Sequence, residues 1–230
     1  DTISIVPADS NLPGFTLDGK GLTIRAMGGV TAAVGPSCIR SIPGASKVVV
    51  QSIDFHKANW SLPTAEDLPG LVIEAALGPV RIESSWLEGG RHDALGSAQP
   101  GLFTFLATDL ALVDTTVLGS RGVTSGAGPG LLAQRSRIVA YGSTIQGGLG
   151  SLGANSSGDP WSQHGGSGVE LYQRSYLWLG DCEVLGGNSE DVHCPVYHCF
   201  PVAGNGVSVG FVDGASYIGL LDTTLQPGLG

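Results

Sequence analysis

Apolar residues in this chain fall on every second position over short stretches, and each stretch then stops at a turn. "LVIE" from Leu71, "VRIE" from Val80 and "LALV" from Leu110 are examples. A period of two is the signature of a strand with one buried face. The 3.6-residue period of an amphipathic helix is nearly absent. The short strands also recur as a unit. Compare "GLVIEAALGPVRIESSWLEGG" from Gly70, "GLFTFLATDLALVDTTVLGS" from Gly101 and "GLLAQRSRIVAYGSTIQGG" from Gly130. Then follow "GVELYQRSYLWLGDCEVLGG" from Gly168 and "GVSVGFVDGASYIGLLDTTLQPG" from Gly206. Each unit runs Gly, strand, tight turn, second strand, then Ser, Thr or Cys, an apolar residue and a closing Gly or Pro.

The starting glycines lie 31, 29, 38 and 38 residues apart. Two less regular copies stand upstream, in "GFTLDGKGLTIRAMGG" and "SCIRSIPGASKVVVQSIDFHKAN". Together they make about seven turns. One such unit cannot bury its apolar face alone, whereas stacked copies form a continuous core. At about 4.8 Å per strand spacing, seven coils predict a rod roughly 34 Å long.

Aligned on the closing residue, the copies fall into columns. Two residues before it stand Leu87, Val117, Ile145, Val184 and Leu225, which should point inward. Four before it stand Ser85, Thr115, Ser143, Cys182 and Thr223, also inward by strand alternation. The columns between should face out. One holds Trp86, Thr116, Thr144, Glu183 and Thr224; the other holds Ser84, Asp114, Gly142, Asp181 and Asp222.

These strand–turn–strand–Gly units, with the "FTLDGKGLTI" opening at Phe15, resemble a right-handed parallel β-helix of the pectin-lyase-like superfamily. The expected fold is therefore all-β: a right-handed parallel β-solenoid of about seven coils with long loop insertions along one edge. The resemblance covers essentially the whole chain, so residues 1–230 read as one β-helix domain, either entire or cut from a longer β-helix. It implies a fold and no single activity. The superfamily holds polysaccharide lyases, glycoside hydrolases, epimerases, phage tailspikes and adhesins, and its lyase motifs are not recognisable here.

Composition narrows the partners. Glycine supplies 37 of 230 residues without a G-X-Y period, which excludes collagen, and 42% apolar residues argues against disorder. The net charge of −9 disfavours nucleic acid, which needs basic stripes. No apolar run approaches the roughly 20 residues of a membrane span. The start at Asp1 reads as a processed or excised piece, and one Met with few Lys fits a secreted or cell-surface protein.

The candidate chemistry sits mostly in the insertions. Long connections follow the closing Gly at Gly89, Gly119, Gly147 and Gly186, the same place in each repeat. They should emerge along one edge, where solenoids often bind ligands. Arg91, His92, Asp93, Arg121, Asp159, Trp161, His164, Asp191, His193 and His198 would share this rim.

"SEDVHCPVYHCFP" from Ser189 offers His193, Cys194, His198 and Cys199 as zinc ligands. Their spacing in two adjacent pairs is poor for one ion. A Cys194–Cys199 disulfide would instead close a short loop and stabilise it by roughly 2 kcal/mol. Cys38 and Cys182 read as buried small apolar residues.

Asp181 and Asp222 occupy equivalent places on adjacent coils, with Glu183 two residues along. Retaining glycosidases hold two carboxyl groups about 5 Å apart, and calcium-assisted lyases need clustered carboxylates. Trp86 and Trp161 suit sugar stacking, while Trp60 and Trp178 fit the cover of a core edge equally well.

Two functions follow as expectations. One is a secreted or cell-surface scaffold or adhesin, open to end-to-end assembly with other copies and carrying a recognition rim. The other is a polysaccharide lyase or glycoside hydrolase acting on extracellular glycans through Asp181, Glu183 and Asp222, with calcium or zinc as candidate cofactors.

Overall fold

The computed structural model describes residues 1–6, 12–28, 31–55, 68–90, 98–122, 126–150, 152–154, 160–162, 164–188, 204–209 and 215–228. The chain is a right-handed parallel β-helix of about seven coils. Three parallel sheets run its length. Sheet A has eight strands, from Thr2–Ile5 to Tyr217–Leu221. Sheet B has seven, from Ala32–Val34 to Thr224–Gln226, and sheet C has seven, from Thr16–Asp18 to Val207–Val209. Each coil passes through C, then A, then B. No helix is long and apolar enough to cross a membrane among the described residues.

Alternation within each strand builds the core. Ile24, Val50, Ile82, Leu112, Ala140 and Leu179 stack rung on rung inside sheet A. Val34, Phe55, Leu87, Val117, Ile145 and Val184 do the same inside sheet B. All of these are buried and belong to one continuous cluster. The columns expected from the closing residue are the columns observed: Trp86, Thr116, Thr144, Glu183 and Thr224 pair in register on the outside of sheet B.

Two corners repeat with a left-handed residue. Between sheets C and A it is Ser41, Ala75, Leu106, Arg135 or the pair Gln173 and Arg174. Between sheets A and B it is Ser52, Ser84, Asp114, Gly142, Asp181 or Asp222. This conformation costs most side chains about 1 kcal/mol or more, and short polar residues tolerate it best. It is held because the corner never leaves the ladder. The Asp114 N–H donates to the Tyr141 carbonyl, Gly142 to Gly180 and Asp181 to Leu221, each at 3.0 Å.

The residue after the second corner turns inward and carries a small polar group. Ser85, Thr115, Ser143 and Cys182 are all buried. The Ser143 hydroxyl accepts the Thr115 N–H at 3.1 Å and donates to the Tyr141 carbonyl at 3.0 Å. Cys182 takes the next rung, its thiol donating to the Gly180 carbonyl. Burial pushes that thiol's pKa above its usual range.

Cys38 differs from the expectation. In the strand Ser37–Arg40, Ser37 and Ile39 point inward and Cys38 faces out, in register with Thr16 and Val72. It lines a small cleft with Phe15, Pro36, Leu68 and Pro69, and partial burial raises its pKa. The strand starts one residue earlier, at the buried Ser37, and alternation then turns Cys38 outward.

Candidate functional site

The loops leave and re-enter the rod between sheets B and C. Their stems form a stack of glycines. The Gly148 N–H donates to Gly128, Gly166 to Gly148, Gly187 to Gly166 and Gly204 to Gly187, at 2.7–2.9 Å. Exit and return arms of successive loops thus bond alternately. A Cβ on Gly187 would run into the carbonyl of Gly148, so these positions accept only hydrogen. The closing glycines that marked the repeat are there for this close approach rather than for a turn.

Two of the rim residues are described with their surroundings. Arg121 is exposed at the start of one loop, and the exposed His164 closes the next, its carbonyl accepting the Ala127 N–H at 2.9 Å. The structure brings these two to the same stack of stems. Trp161 lies in the strand Pro160–Ser162, which pairs antiparallel with Leu152–Ala154. Arg91, His92, Asp93, Asp159 and Asp191 lie outside the described residues. So do His193, Cys194, His198 and Cys199, and with them both the zinc and the disulfide readings. Among the described residues no group of three or more His, Cys, Asp or Glu could hold a metal ion.

The acidic candidates occupy the corner between sheets A and B. Asp114, Asp181 and Asp222 each take its left-handed position and are exposed. Gly142 is the exception in this row; a Cβ there would collide with the Asp114 carboxylate. Tyr141 ends its strand beside them. Hydrogen bonding toward Asp181, with the negative charges of Asp181, Asp114 and Asp222, holds its phenol above the usual pKa. Glu183 lies one step around, on the outer face of sheet B between Thr144 and Thr224. Trp86 is also outward on sheet B and donates from its indole to Glu88 at 3.4 Å. Asp114, Asp181 and Asp222 therefore share one corner, while Trp86 stands on the outer column of sheet B with Glu183, three coils before it.

A second surface escaped the sequence reading. On the outside of sheet A, Arg137, Tyr176 and Tyr217 form one rung row, and Val139, Trp178 and Gly219 form the next. Tyr141, Gly180 and Leu221 form the third. Tyr176 and Tyr217 stack with ring centroids 5.3 Å apart and 11° between planes. The benzo edge of Trp178 reaches over Gly219, where a Cβ would collide with Cε3. The Tyr141 ring covers Gly180, 3.1 Å from the place of its missing Cβ. Trp178 thus covers no core edge. The only signal in the sequence was the alternation in "YLWLG", which sets Tyr176 and Trp178 on one side.

Comparison with family models, curated proteins and solved structures finds no match. No activity is therefore inherited from a relative, and the site must be judged on its own geometry.

Proposed function

We propose that this protein is a secreted or cell-surface β-solenoid of the pectin-lyase-like kind that works as a rigid, adhesive scaffold. The loop row between sheets B and C serves recognition. The observation that supports this reading is the unbroken register of all three sheets through every coil. Such a rod keeps many outward positions at fixed spacing, and its interior leaves those positions free to vary.

The corner carboxylates fit this reading too. They stand exposed at the corner between sheets A and B, where water reaches them. Glycoside hydrolysis needs one carboxyl kept protonated by an enclosing site, opposite a second one.

The enzyme reading keeps one observation in its favour. Tyr141, Asp114, Asp181 and Asp222 meet at one corner, and the three acids act together on the Tyr141 phenol. The deciding experiment incubates the full chain with polygalacturonate, alginate and neutral glucans, with and without calcium. New reducing ends and unsaturated products are measured. The scaffold predicts neither. Turnover that disappears in Asp181→Asn and Asp222→Asn would replace it with the enzyme.

A further inference from the structure

We propose that the outer face of sheet A, in the three coils around Trp178, is a binding site for a glycan chain whose pyranose rings stack on its aromatic side chains. The surface is a groove of about 610 Å³. Its floor is the Trp178 indole, whose benzo edge reaches over Gly219. Its wall is the stacked pair Tyr176 and Tyr217. Thr108, Asp109 and Arg137 line the same groove. A pyranose is amphipathic in this same sense. Its C–H face is apolar and packs on an aromatic ring, and its hydroxyls ring the edge. Flat aromatic floor and polar rim are what such a ring needs, and carboxylate, guanidinium and hydroxyl groups together can serve its hydroxyls as acceptors and donors.

The glycines show that the surface is built for rings to lie open. Solvent-exposed aromatic residues on a sheet usually pack on side chains of the neighbouring strand. Here Trp178 meets Val139 on one side and Gly219 on the other, and Tyr141 meets Val113 and Gly180. On the glycine side no side chain covers the rings, and Tyr176, Trp178 and Tyr217 remain 46%, 50% and 58% exposed.

The area favours a narrow ligand over a protein. Half-exposed aromatic side chains offer on the order of 100 Å² each, so the three together present roughly 300 Å². A stable protein interface needs about 800 Å² per partner. Adding Tyr141 and Val139 leaves the patch below that value. The rungs are also spaced for a chain. Tyr176 and Trp178 are two residues apart on one strand, about 7 Å, so one linear ligand can meet both.

The test is binding, which is read without turnover, so its outcome does not depend on whether the chain is a scaffold or an enzyme. The full chain is run in native affinity gels containing hydroxyethylcellulose, xylan, galactomannan, polygalacturonate or alginate. Intrinsic fluorescence is followed in parallel. At least one polymer should retard the protein. Trp178→Ala should weaken that binding about tenfold or more, and Tyr217→Ala by about threefold to tenfold.

Gly219→Ala is the second variant. It leaves the inward columns intact but displaces the indole from its floor, and it should lower affinity with an unchanged thermal midpoint. Trp86→Ala, on sheet B, should bind as the parent does. Retardation by no polymer would overturn the proposal. So would binding that survives both Trp178→Ala and Gly219→Ala. Self-association that Trp178→Ala abolishes, without any glycan binding, would assign the face to a second copy instead.

Discussion

Sheet A has one interior and two exteriors. Its first half shows Val49, Gln51, Arg81 and Glu83 to solvent, with Arg81 and Glu83 paired as ions. Its second half shows Val139, Tyr141, Tyr176, Trp178 and Tyr217. Beneath both halves the same aliphatic ladder continues, from Ile24 through Ile82 to Leu179. The strands pair identically and the corners repeat. The difference shows that the fold is specified by the inward columns and leaves the outward ones free. A polar exterior is the default, because exposed apolar patches promote association unless they bind something. The aromatic half departs from that default within three coils.

The strongest way to separate the two roles is to remove side chains on either side of one sheet. Leu112 is fully buried in the ladder. Leu112→Ala should cost about 2–5 kcal/mol, through lost burial and the cavity left behind. Trp178→Ala, on the exterior, should change stability by about 0.5 kcal/mol or less, while abolishing the stacking. Chemical denaturation of both variants measures this. An exterior change that costs as much as the interior one would mean that Trp178 belongs to the core.

The buried polar rungs come next. Ser143→Ala removes the acceptor of the Thr115 N–H at a position with no access for water. The expected loss is about 1–3 kcal/mol. Cys182 already occupies the next rung with a thiol, so Ser143→Cys should recover most of that loss. Thermal melts of the two variants decide it.

How much of this was legible follows from what repeats. The inward columns were, because period-two alternation combined with one landmark per coil fixes the register. Leu87, Val117, Ile145 and Val184 needed only the closing Gly. Cys38 was misplaced because its strand begins one residue earlier, at Ser37, and the alternation is shifted accordingly. The glycine stack was visible as composition, but its reason, carbonyls meeting at each loop stem, exists only between coils. The aromatic groove was hidden for a related cause. Tyr176 and Tyr217 stand 41 residues apart in sequence, and only the pairing of sheet A makes them neighbours. Asp181 and Asp222 were correctly paired as outward equivalents. Their role in holding a left-handed corner comes from backbone angles that the sequence only suggests.

Copying the aromatic half onto the polar half sharpens the comparison further. Arg81 pairs with Ala111 as Trp178 pairs with Gly219. Arg81→Trp with Ala111→Gly should lay a second indole on the sheet without touching the ladder. If a ring on a bare rung is enough to hold a sugar, affinity for the polymer bound by the parent should rise severalfold. An unchanged affinity would show that the tyrosine wall and the Asp109–Arg137 rim are needed as well.

The smallest effect is expected at the corner where the two exteriors meet the acids. Hydrogen bonding toward Asp181 and the negative charges of Asp181, Asp114 and Asp222 favour the protonated phenol of Tyr141, so it ionises at higher pH in the folded protein than in the unfolded chain. The unfolded chain then loses this proton first as pH rises. The native state binds more protons in that interval, and stability must fall with rising pH. The contribution is fully present below about pH 10, the ordinary phenol value, and declines above it until the folded group also ionises. Tyr141 is exposed, so salt should weaken the effect. Tyr141→Phe should leave stability at neutral pH nearly unchanged and flatten the alkaline decline, and Asp181→Asn should return the phenol toward its usual value. Absorbance titration near 295 nm, with Tyr141→Phe to assign the transition, reads this directly. A phenol that titrates at its ordinary value in the parent would show that the Tyr141–Asp181 bond does not persist in solution, and the corner would then be four independent side chains.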